Sequence, residues 1–96
     1  MASINVSADE LERLSSAYAT TAHSLEQQLA HLRAQSGSLR QDWVGSSSMA
    51  FQQRITQLEA AERQLVDALH GIAKALAAAS AAYRSVDSNI SSAFDV

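Results

Sequence analysis

From Phe51 to Ile90 the apolar residues return in alternating steps of four and three: Phe51, Ile55, Leu58, Glu62, Leu65, Leu69, Ile72, Leu76, Ala79, Tyr83, Val86, Ile90. A mean spacing of 3.5 residues keeps one stripe aligned along a helix, and it is useful only if another helix lies against it. The seam slips nowhere over its length. Its one polar member, Glu62, must reach the rim or meet a cation, and an Arg33–Glu62 contact is expected across a closed hairpin. No proline interrupts the 96 residues, and the large alanine share favours long helices over a turn-rich β fold.

A second stripe precedes this one: Leu11, Leu14, Tyr18, Thr21, Leu25, Leu29, Leu32, Ser36, Leu39 and Trp43. Two steps of four adjoin at Leu25–Leu29, a stutter that relaxes a left-handed supercoil. Its start is marked by Ser7-Ala8-Asp9-Glu10, a capping box with Ser7 as N-cap and Glu10 at N3. Val6 and Leu11 fall at the hydrophobic-staple positions, and Asp9 and Glu10 complement the positive end of the helix dipole. Ser36-Gly37-Ser38 is the weak point, yet Leu39 and Trp43 remain in phase, so the helix is carried to about residue 41.

Between the stripes stands Trp43-Val44-Gly45, followed by Ser46, Ser47 and Ser48. Glycine takes positive φ without steric cost, serine is a favoured N-cap, and the lone tryptophan is placed to plug the end of a helix–helix interface. The expected fold is all-α and a single domain over residues 1–96. It is an antiparallel two-helix hairpin, about 7–41 and 47–91, with a turn at 42–46 and flexible ends at 1–6 and about 88–96. Beside the second seam runs a row of small residues, Ala61, Ala68, Ala75 and Ala82, with Val66 and Ala73 on the other flank. So wide an apolar face exceeds what one neighbouring helix covers, although alanine also serves helix propensity alone. Two hairpins pairing into a four-helix bundle dimer would cover it.

Closing the hairpin about residues 43–46 sets Ser7 opposite roughly Ala82. The first helix is then exhausted while the second continues through Tyr83, Val86, Ile90 and Phe94. Tyr83 and Asp87, four apart, share a face of that projecting end. Three readings of it stand: cover by a second protomer, disorder, or a ridge that docks into another protein's groove.

Other chemistry finds little support. With no cysteine there is no disulfide or thiolate chemistry, and a net charge of −3 opposes a nucleic-acid partner. His23, His31 and His70 lack metal-ligand spacing, no phosphate loop or nucleophile motif is present, and neither catalytic residues, metal nor cofactor is expected. Residues 1–10 lack the layout of a cleaved secretory signal, no apolar run is expected to approach bilayer-spanning length, and the polar faces lack the lysines of an interfacial helix.

Trp43-Val44-Gly45 at mid-chain together with Tyr83-Arg84-Ser85-Val86-Asp87 near the C-terminus resembles the WXG-hundred family, the small ESAT-six-like proteins exported by type VII secretion. The resemblance covers essentially the whole chain. It implies helical hairpins paired as homodimers, or with a related family member, into four-helix bundles that leave the bacterial cytoplasm folded and without a cleaved signal peptide. Trp43 and Gly45 match the family's turn motif. Tyr83 and Asp87 match its secretion signal, read in related systems by an FtsK/SpoIIIE-like export ATPase. Val86, Ile90 and Phe94 are added from periodicity as apolar residues flanking that signal. The spaced histidine motif of some members has no counterpart here. The expected function is a small exported substrate or adaptor; the alternative is an intracellular helical partner or chaperone of a larger exported protein.

Overall fold

A computed structural model describes residues 6–39 and 42–94, with side chains through Ser88. Two helices, α1 (Ala8–Leu39) and α2 (Ser46–Phe94), lie side by side. The start of α1 is the expected cap: the Glu10 amide donates to Ser7 Oγ at 3.1 Å, and the Leu11 amide to the Ser7 carbonyl. Gly37 does not end the helix, which runs to Leu39.

At the turn, Gly45 has φ +112°, a conformation that side chains with a Cβ rarely enter. Its carbonyl accepts the Met49 amide at 3.1 Å, so Gly45, and not one of the three serines, occupies the N-cap of α2. The buried Ser48 instead donates its hydroxyl to the Trp43 carbonyl at 2.9 Å. Glycine wins the cap because the reversal needs positive φ, leaving the serine to tie the incoming strand of chain down. The Trp43 ring packs on Phe51, centroids 5.2 Å apart and tilted by 44°, and closes this end of the interface.

The register is close to that expected. Ser80 Oγ donates to the Ala8 carbonyl at 2.9 Å and Ser15 Oγ to the Ala73 carbonyl at 2.7 Å. A serine hydroxyl reaches the backbone of a neighbouring helix only where the helices come very close. Here the facing side chains are small: Ala8, Ser15 and Ala22 on α1, Val66, Ala73 and Ser80 on α2.

This close approach moves the interface onto the flank of the seam expected for α2 and divides that seam into a part-buried row, Ile55, Leu69, Leu76 and Tyr83, and an exposed one. Val66, Ala73 and Ser80 face α1 and are buried. Leu58, Leu65, Ile72 and Val86 are 42–55% exposed. Leu65 and Ile72 each precede a buried residue by one position, which turns their row by about 100° from the hairpin interface. On α1, Leu14 stands in the same relation to Ser15, and Leu32 and Leu39 are likewise exposed. Because the helices are antiparallel, the same backward step turns both rows toward one broad face of the hairpin. The opposite face carries charge. Arg33 Nε reaches Glu59 at 3.0 Å and its terminal nitrogen reaches the expected Glu62 at 3.6 Å; His70 lies 3.4 Å from Glu26.

The molecule is a lath of 77 × 26 × 14 Å, with a radius of gyration of 21.8 Å. A compact domain of this length would have about 13 Å. Among the described residues no large side chain is fully buried. One sequence expectation is corrected: Ser46–Ser88 contains a stretch with mean hydropathy 1.3, long and apolar enough by those measures to cross a bilayer. Its hydropathy reflects many alanines, whose methyl groups raise the average without forming an unbroken run of large apolar side chains.

Gly45→Ala is expected to destabilise the protein by about 1–2 kcal/mol, since alanine must adopt the strained φ. Gly71→Ala, inside α2 with open space around the added methyl, is expected to stabilise it by about 0.5–1 kcal/mol. Urea unfolding followed by circular dichroism measures both.

Candidate functional site

Tyr83 and Asp87 continue the line by which α2 faces α1. Tyr83 lies one heptad beyond Leu76, and Asp87 one heptad beyond Ser80. Ser80 is already level with Ala8, the first residue of α1, so these positions extend the seam past the end of its partner. A carboxylate is tolerable there because, among the described residues, no helix lies opposite to desolvate it.

The vacated space is an open cleft of about 440 Å³, lined by Val6, Ser7 and Ala8 on one side and Tyr83, Val86 and Asp87 on the other. Tyr83 is half-buried, Asp87 exposed and Val86 55% exposed. Three of the residues singled out in the sequence therefore meet, with the entry to α1 as a wall that periodicity did not reveal. From Ser85 to Phe94 the remaining part of α2 projects by about 15 Å at 1.5 Å per residue. Ile90 and Phe94 lie on this projection, and their side chains fall outside the described residues. The proposed flexible segments fall partly outside them too, at residues 1–5 and 95–96.

Arg84 lies inside the motif and turns toward α1. Its guanidinium donates to Asp9 at 2.9 Å and also to Glu12. These contacts raise its pKa above the ordinary arginine value, the Asp9 hydrogen bond acting most and the charge of Glu12 next. Neither pairing was legible in the sequence, since each spans more than seventy residues and depends on the exact register.

Trp43 and Gly45 lie at the other end of the lath, and nothing brings them to Tyr83 within one hairpin. A larger, shallower depression of about 840 Å³ runs along α1 from Asp9 to Thr21. It is the polar side of a single helix, with no converging groups. Among the described residues no cluster of three or more His, Asp or Glu is placed to hold a metal ion.

A paired-helix lath with a W-x-G reversal and a Y-x-x-x-D on the overrunning helix defines a class. Residues 3–88 match the family WXG100, described as proteins of 100 residues with WXG, and the chain belongs to that family. Among solved structures it is similar to the secreted protein EsxB of Bacillus anthracis str. Sterne. One crystal structure of that protein shares 28% identity with a TM-score of 0.81, covering 91% of this chain and 99% of that one. A wild-type crystal form gives 27% identity and a TM-score of 0.82 over 88% and 90%. No curated protein sequence matches the chain.

Proposed function

We propose that the chain is a small type VII secretion substrate or adaptor. It is exported without a cleaved signal peptide as a folded pair of hairpins, with Tyr83 and Asp87 read by the FtsK/SpoIIIE-like ATPase of the export machine. Family membership supports the class, and the similarity to a secreted protein supports the destination. The observation that carries the signal assignment is the unpaired continuation of the seam, where a ring, a carboxylate and Val86 border an open cleft.

Pairing follows from surface. The chain exposes 7384 Å², whereas a compact monomer of its mass exposes about 5300 Å². The exposed surface includes the broad apolar face of Leu14, Leu32, Leu58, Leu65 and Ile72. A second hairpin, a copy of this chain or a related WXG-type protein, would cover it and complete a four-helix bundle. The charged face would remain in water. With a net charge of −3, nucleic acid is not proposed as a partner, and the apolar strip is assigned to a protein partner rather than to lipid.

Leu65→Asp with Ile72→Asp is expected to weaken the pairing by at least about a hundredfold, given ~1.5–3 kcal/mol for each large apolar side chain buried. Sedimentation equilibrium measures it. Tyr83→Ala and Asp87→Ala are each expected to leave helical content and mass unchanged while the protein disappears from culture supernatant and accumulates in cells. Normal export of both variants, in cultures free of lysis, would contradict the signal assignment. A wild-type chain that stays in the cell and copurifies with a larger exported protein would point instead to the chaperone role.

A further inference from the structure

Arg84 is the last described tie between the two helices, and it sits between the two residues assigned to the signal. In an isolated helix its natural partner would be Asp87, three residues on, at a spacing where opposite charges attract. The structure has it elsewhere. The guanidinium is drawn across to Asp9 and Glu12 on the first turn of α1, and none of the ion pairs among the described residues involves Asp87. One helical turn earlier, the buried Ser80 hydroxyl grips the Ala8 carbonyl. These two fastenings meet the same turn of α1, whose entry residues Val6 to Ala8 form the opposite wall of the cleft.

We infer that Arg84 is a positioning residue for the signal: by bridging Asp9 and Glu12 it holds the Tyr83–Asp87 segment on the first turn of α1 and keeps its own charge off the Asp87 carboxylate. The surface offered for recognition is therefore built by two helices, and acids more than seventy residues upstream belong to it. This rests on Tyr83 and Asp87 being the export signal.

The first variant leaves the signal segment untouched. Asp9→Asn with Glu12→Gln removes the charges that hold Arg84, freeing it to pair with Asp87. Export is expected to fall severalfold, with helical content and dimer mass unchanged. Amides 83–88 are expected to exchange roughly threefold faster, as suits a surface ion-pair clamp. Reversing the whole arrangement, Arg84→Glu with Asp9→Lys and Glu12→Lys, is expected to restore export. Should the double variant lose helix, Arg84→Gln carries the same prediction. Unchanged export in a folded variant without the clamp overturns the inference, as does a charge-reversed variant that folds and pairs yet stays inside the cell. Tyr83→Ala and Asp87→Ala run in parallel separate the two ideas. If they are exported, the signal assignment itself has failed; if they are blocked while the clamp variants pass, only the role of Arg84 has.

Discussion

Two long helices can lie this close only because the side chains between them are small. Ala8, Ser15 and Ala22 meet Val66, Ala73 and Ser80, and hydroxyls of Ser15 and Ser80 bond directly to the opposing backbone. Such an interface aligns the helices and fixes their register, but it buries little. Several large side chains, Leu14, Leu32, Leu58, Leu65 and Ile72 among them, are of the kind that supply most hydrophobic stabilisation in a conventional core, yet they lie at the edge of the contact and remain about half in water. The hairpin is thus well specified in geometry and poor in burial. That combination makes it a subunit rather than a finished domain.

The remaining architecture follows from the angle between neighbouring rows. A turn of about 100° between successive residues places the large apolar row on one broad face and the arginine–carboxylate ties on the other. The apolar face is the one that a second hairpin would cover, and the charged face suits solvent. At the turn, Gly45 supplies the reversal and Trp43 against Phe51 closes the interface. At the open end α1 begins only at Ala8, so the next seam positions of α2 fall to Tyr83 and Asp87, which border an open cleft walled by Val6, Ser7 and Ala8. The proposed export signal therefore occupies seam positions that would be core anywhere else along the rod.

Much of this could be read from residues alone, and the exceptions have a common cause. The Ser7 cap, the positive φ at Gly45, the hairpin register and the Arg33–Glu62 contact each follow from local chemistry or from counting residues back from the turn. The division of the α2 seam did not. A four-and-three alternation runs along the border between two adjacent faces, and only the close approach at Ala73 and Ser80 decides which side points inward. Glu59 as the nearer partner of Arg33, and Asp9 and Glu12 as partners of Arg84, likewise depend on distances that a register estimate good to a residue or two cannot resolve. Glycine displaced serine at the second cap because backbone conformation outranks side-chain capping at so tight a reversal.

This hairpin lacks a sufficient core of its own, and a second one would supply the missing half. The most direct test combines mass by light scattering with thermal unfolding across a wide range of protein concentration. A dimer mass is expected whenever unfolding is cooperative, with a midpoint that rises with the concentration of the second hairpin. A chain with the mass of a 10.2 kDa monomer, fully helical and unfolding cooperatively at a midpoint independent of concentration, would contradict it.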